Sequence, residues 1–428
     1  MNSEPRVAVP VSPSLWLAGL VTSRRLRVYP PLMLASVVLY TVHDVWQRGL
    51  RSDLGGDFLS FYTGGAFVLH NNPEGLAHGA QQHALQEQIL GFTTNSTGTW
   101  VSPPFFAWFF APFAALPFSL AYVAFTLLSL VSCAAAFHAL RKCFGSVPST
   151  TSLLVTAAQF YPTLHALIIG QTTPLWLSAF VWIFVRLRQG RDAEGGLLLG
   201  LFVCKPPLAL GLAVALVAAR RFRTLAFAAL SGSALLGLGF AAMPQLMLRY
   251  LHAGPKLVSF VRDAGYPVAG LVGSFEFGTL LFDGVSRPLG AAVGFSLLAG
   301  LLLLIASFWA HAPWRPATRA WDLRMAATLA VGVIASPHLF SYDLMLLVLP
   351  LFVVAFRFPA QGEMPLGNPR LLELTFVLWL LAFATPLLSG MQRVLSQQAL
   401  GFTLVVQWIV PVTAAWGVYV FRRADSAC

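Results

Sequence analysis

A chain of 428 residues has the length of two or three soluble domains, but 57% hydrophobic residues, 10% charged residues and a mean hydropathy of +0.72 exclude that class. The formal net charge of +11 comes from 27 Lys and Arg against 16 Asp and Glu; these basic residues lie in short clusters between apolar runs rather than on one patch, which argues against a nucleic-acid partner. The four cysteines form no C-x-x-C pair, which argues against a disulfide framework or a zinc site.

In chain order, residues 1–29 show no small-residue cleavage site behind an apolar core, and Arg24-Arg25-Leu26-Arg27 reads as the flank of an uncleaved signal anchor before a cytoplasmic N-terminal tail. Apolar runs predict membrane spans over 30–47, 119–140, 151–169, 171–188, 222–242, 288–308, 323–337, 340–357, 371–388 and 399–421. Residues 196–219 are apolar but broken at Lys205-Pro206-Pro207, and 104–117 is short and bounded by prolines, as in a re-entrant or interfacial segment. The total is about 10–12 passes, an all-α polytopic integral membrane protein with one transmembrane unit over 30–421 and a cytoplasmic tail at 422–428. With the N-terminus in the cytoplasm, about 19 of the 27 basic residues fall on that side, as the positive-inside rule requires. Two long connections, 48–102 and 243–287, then lie outside. In the second, Leu246, Met247, Tyr250 and Leu251, followed by Leu257, Val258, Phe260 and Val261, with Arg249, Lys256 and Arg262 between, suggest an amphipathic helix on the membrane surface.

Asp57 is the most informative residue. It follows Gly55-Gly56 and precedes Phe58, Phe61 and Tyr62, just beyond the first span. A carboxylate close to the bilayer is costly without a task, and the glycines permit a tight turn that opens it to a ligand; the same residue also suits a helix N-cap. Further along, Trp100-Val101-Ser102-Pro103-Pro104-Phe105 fixes a helix start. Gln171, after Gly170 in a tight hairpin, suits either a polar ligand or the turn backbone. Lys205 is a cation at membrane depth beside a proline break, suited to an anionic group, with snorkelling as the alternative. Ser336-Pro337-His338-Leu339-Phe340-Ser341-Tyr342-Asp343 gathers His338, Tyr342 and Asp343 in one external turn. There His338 could serve a leaving group, or Asp343 could simply cap the next helix. No D-x-D, phosphate loop, H-E-x-x-H or G-x-S-x-G motif occurs.

Asp57-Phe58, Pro103-Pro104-Phe105, Gly170-Gln171, Lys205-Pro206, Ser336-Pro337-His338 and Leu349-Pro350 come in an order that resembles glycosyltransferase family 87, a branch of the membrane-embedded GT-C glycosyltransferases, across roughly residues 30–420. The late turn departs from the pattern: some members carry Trp-Asp or Trp-His soon after Ser-Pro, where this chain has His338 and, later, Tyr342-Asp343. The resemblance implies a GT-C-like bundle, a polyprenyl-phosphate-linked sugar donor (mannose first), and a lipid or glycan acceptor at the outer face of the cytoplasmic membrane. It implies no cofactor and no metal. Asp57 would be the general base, with His338 as a second catalytic group and Lys205, Gln171, Tyr62 and Asp343 binding donor phosphate or substrate. Two other classes fit the composition: a transporter or flippase using Lys205 and Asp57 as a gate, and a non-catalytic membrane scaffold.

Overall fold

The computed structural model describes residues 23–49, 54–93, 98–145, 147–253, 270–358 and 366–425. The described residues are helical apart from turns, short extended stretches and one isolated antiparallel bridge. The α-helices in chain order are α1 Ser23–Arg48, α2 Gly56–Leu69, α3 Gly79–Leu90, α4 Ala107–Ala114, α5 Phe118–Lys142, α6 Thr150–Ala158, α7 Tyr161–Ile168, α8 Thr173–Arg188, α9 Asp192–Gly200, α10 Pro206–Ala218, α11 Phe222–Ala242, α12 Pro244–Ala253, α13 Ser274–Leu281, α14 Arg287–Ala310, α15 Arg319–Ile334, α16 Val348–Arg357, α17 Pro369–Leu400 and α18 Ile409–Asp425.

Five of these, the α1 segment 27–48 together with α5, α11, α14 and α17, are long and apolar enough to cross a membrane. The other expected spans form shorter or divided helices. The run 151–169 splits into α6 and α7 around Phe160, where Pro162 starts a new helix. The run 340–357 opens as a 3-10 turn over Ser341–Leu347 before α16. The run 371–388 continues to Leu400, so the last span starts only at Ile409, after an extended return over 401–408. Of the expected surface helix, α12 is described; Leu257 to Arg262 lie outside the described residues.

The core is built around α15, in which every residue from Ala320 to Ile334 is buried. Ala326, Ala327, Ala330 and Gly332 leave little side chain on this helix, so α10, α14, α16 and α18 pack closely against it. At its crossing with α10, a methyl group on Gly211 would lie 2.5 Å from the Gly332 Cα. That contact exists only because both positions are bare.

Charge marks one end of this bundle. Asp322, fully buried at the start of α15, accepts from Arg188 Nε at 2.9 Å and pairs with Arg357 at the end of α16. Arg221, the N-cap residue of α11, pairs with Asp192 at the start of α9, and Arg324 Nη2 reaches Asp425 Oδ1 at 2.6 Å. From this basic end α8 (16 residues), α15 (16 residues) and α10 (13 residues) run to the opposite end. They are about 20–24 Å long at ~1.5 Å per residue, less than the ~30 Å of hydrocarbon in a bilayer. By contrast α5, α14 and α17 have 25, 24 and 32 residues, or about 36–48 Å. The ends of the short helices away from the basic cluster carry Thr173, Lys205 and Ser336.

Candidate active site

The site is assembled by one helix ending against the start of another. After α7 the chain turns at Gly170, whose φ of +71° is left-handed. Gln171 N–H donates to the Ala166 carbonyl at 2.8 Å and Gly170 N–H to the Leu167 carbonyl at 3.2 Å, the paired bonds of a Schellman C-cap. A Cβ at Gly170 would also lie 2.5 Å from the Phe58 Cβ, so glycine is required twice over. The next two free carbonyls of this helix end go to α2: Ile168 accepts from Gly55 N–H at 2.8 Å, and Ile169 accepts from Asp57 and Phe58 N–H at 2.9 and 3.0 Å. From the other side, the Tyr122 hydroxyl, about one turn into α5, donates to the Leu167 and Ile168 carbonyls.

This arrangement decides the capping question for Asp57. The N-cap of α2 is Gly55, no side chain caps it, and the first amide groups are already satisfied by α7. The Asp57 carboxylate is left for another partner, and it accepts from Gln171 Nε2 at 2.8 Å. The opposite end of the same amide is fixed too, because Gln171 Oε1 accepts from Thr172 N–H at 3.0 Å. Asp57 keeps a partial opening to solvent, yet the protein packed round it raises its carboxyl above the ordinary range. The Gln171 hydrogen bond and the Lys205 charge oppose that rise, and the charge of Asp343 adds to it.

Beside this pair stands a second carboxylate. Asp343 Oδ1, buried, accepts from Lys205 Nζ at 2.7 Å and from the Thr173 hydroxyl at 2.7 Å. Lys205 is the N-cap residue of α10, kept out of the helical conformation by the proline that follows, and its ammonium lies 5.6 Å from the Tyr342 ring centroid. Asp57, Gln171, Lys205 and Asp343, more than a hundred residues apart at the extremes, thus form one cluster at the ends of α2, α8 and α10.

His338 is joined to that cluster by rings. His338, Phe340 and Tyr342 alternate along the late turn, all half-buried, while Leu339, Ser341 and Asp343 between them are buried. The His338 and Phe340 rings meet edge-on at 5.1 Å, and Phe340 stacks on Tyr342 at 5.4 Å. His338 and Asp343 do not meet: the histidine Nδ1 faces Glu276 Oε1 at 3.6 Å instead. Glu276 comes from α13, and the segment before that helix is stitched to the turn by the Leu271–Phe340 bridge and by Val272 N–H donating to the Leu339 carbonyl at 2.8 Å. Tyr62 is not brought into the cluster. Its hydroxyl donates to the Leu116 carbonyl at 2.8 Å and its ring packs with Phe58 and Phe118 behind Asp57.

Sequence reasoning passed over Thr173 and Glu276. Thr173 follows Gly170-Gln171-Thr172, and a polar run of that kind at a hairpin between apolar segments is a usable signal. Glu276 stands between Phe275 and Phe277, an acid in an apolar stretch, which is the same kind of signal that marked Asp57.

A family model described as glycosyltransferase family 87 matches residues 100–350, more than half of the chain. The match takes in Gln171, Lys205, Glu276, His338 and Asp343; Asp57 lies ahead of it. No curated protein and no solved structure matches the chain.

Proposed function

Since the chain belongs to glycosyltransferase family 87 and is therefore a membrane glycosyltransferase, we propose that it moves a hexose, mannose first, from a polyprenyl-phosphate donor to a lipid or glycan acceptor, with the cluster around Asp57 as its active site. The observation that carries this reading is a carboxylate released from capping duty, hydrogen-bonded to Gln171 and within the field of Lys205. The acceptor hydroxyl oxygen attacks the anomeric carbon, and its proton passes to the Asp57 carboxylate. The bond from the anomeric carbon to the phosphate oxygen breaks, and polyprenyl phosphate leaves with the electron pair. A single displacement inverts the anomeric configuration. Lys205 lies where an ammonium can face the departing phosphate, and His338 supplies a second donor to it; both stabilise charge that grows during the reaction. Asp343, itself held by the Thr173 hydroxyl, keeps Lys205 in place, and Gln171 aims Asp57. The reaction needs no metal ion in this reading.

The end of the bundle that carries Lys205 suits the donor. A phosphate on a lipid stays near the membrane surface while its chain remains in hydrocarbon, so a lysine at a helix start away from the basic clusters is within its reach in this reading. The basic clusters at the opposite end, placed in the cytoplasm by the positive-inside rule, turn the site to the external or periplasmic side of the cytoplasmic membrane.

Purified protein in detergent, given polyprenyl-phosphate sugars labelled in the sugar and an extract of membrane lipids, should release polyprenyl phosphate and label an acceptor. Mannose should give the fastest release, and the product linkage should be inverted relative to the donor. Transfer from a nucleotide sugar with none from the lipid-linked donors would overturn the donor assignment.

A further inference from the structure

We propose that Glu276 is the positioning residue that fixes the imidazole of His338, an inference that rests on the role given to His338 above. Glu276 is buried, on the third residue of α13, and its Oε1 faces His338 Nδ1 at 3.6 Å. The contact is set by three independent constraints. The bridge between Leu271 and Phe340 ties the start of α13 to the late turn. Ser336 Oγ donates to the His338 carbonyl at 2.9 Å and holds the turn itself. Phe340 closes on the imidazole edge-on from the other side. With Nδ1 directed at a carboxylate, Nε2 is the nitrogen left for a ligand, and the half-buried ring presents it in one orientation.

A plainer role competes. Glutamate at the third position of a helix commonly reaches back to the N-cap amide, and Glu276 Oε2 does lie close to Gly273, though it is buried without a hydrogen-bond partner among the described residues. A cap, however, does not require burial beside a histidine. Burial raises the Glu276 carboxyl and His338 lowers it again, so the two side chains sense each other. Glutamine separates the roles, since it caps at this position as glutamate does but carries no charge to hold the imidazole.

The test is the ¹⁵N imidazole spectrum of histidine-labelled protein, with His338→Gln identifying the His338 signals. In the wild type, His338 should show a single form protonated on both nitrogens, Nδ1–H towards the Glu276 carboxylate and Nε2–H left to donate to the phosphate. In Glu276→Gln the two tautomers should interconvert and average, while the unfolding temperature stays within a few degrees. Turnover should fall on the order of tenfold with acceptor KM unchanged, the loss of one charge-assisted contact, and Glu276→Asp should recover part of it. A His338 spectrum unchanged in Glu276→Gln overturns the proposal, as does a Glu276→Gln chain that no longer folds, which would make the residue structural. A spectrum that changes with turnover intact would leave Glu276 as the positioning residue and remove His338 from the reaction instead.

Discussion

Asp57 and Asp343 are two carboxylates that both feel the charge of Lys205, and their surroundings differ. Asp343 is closed in by Lys205 and Thr173 and has the character of a fixed counter-ion. Asp57 has a neutral amide partner and a raised carboxyl, the condition in which a carboxylate takes up a proton most readily. For a base whose folded pKa is raised, activity is present above that pKa and lost as pH falls through it. The acid limb of the rate–pH profile should therefore lie above the ordinary carboxylate value of about 4, and an acid limb at or below that value would contradict the role. Lys205 deserves a paired test. Read from sequence alone, Lys205→Met removes only a ligand contact; the structure adds a buried Asp343 left with a single hydroxyl. That should cost about 2 kcal/mol of stability, less than the roughly 3–5 kcal/mol of a fully buried pair because the lysine is partly exposed. Lys205→Met with Asp343→Asn should restore the unfolding temperature in detergent without restoring transfer. If the double variant regains activity, Lys205 is a structural partner of Asp343 and not a donor-binding group.

At the scale of elements, the junction of α7 with α2 carries the argument. The carbonyls at one helix end satisfy the amides at the start of the other, and Gly170 allows them to touch. Gly170→Ala places a methyl group against Phe58 in a left-handed backbone, at a combined cost of roughly 2–4 kcal/mol. Thermal unfolding should register that loss, and turnover should fall further than stability does, because Asp57 and Gln171 are displaced together. Unaltered turnover in a folded Gly170→Ala protein would show that the junction does not set the site. None of this was legible beforehand in the residues themselves. Gly-Gln and Gly-Gly-Asp each announce a turn, but sequence gives no hint that the two turns bond to each other across more than a hundred residues. Long apolar runs, by contrast, were readable, because length and hydropathy alone define a span. The breaks inside 151–169 and 340–357 were missed for the same reason: hydropathy averages over Phe160 and over the 3-10 turn, which differ from helix in backbone and not in polarity.

For the whole molecule, the separation of charge fixes the expected orientation. Arg188, Arg221, Arg324 and Arg357 gather with their acidic partners at one end of the bundle, and the candidate site lies at the other. Single-cysteine labelling in intact cells tests the direction. Gln81→Cys on α3 should react with a membrane-impermeant reagent, and Arg422→Cys at the end of α18 should not; the reverse pattern would turn the active site towards the cytoplasm.

The most direct measurement is transfer by Asp57→Asn, with wild-type protein in parallel. Asparagine keeps the size of the side chain and relieves a half-buried carboxylate of its charge, so the unfolding temperature should hold or rise. The raised pKa means that ionisation at neutral pH opposes folding, and the substitution removes that opposition. Donor binding should persist through Lys205. Release of polyprenyl phosphate should fall on the order of 10²–10⁴-fold, the worth of a general base. Transfer near the wild-type rate by a stable Asp57→Asn protein would contradict the account at its centre.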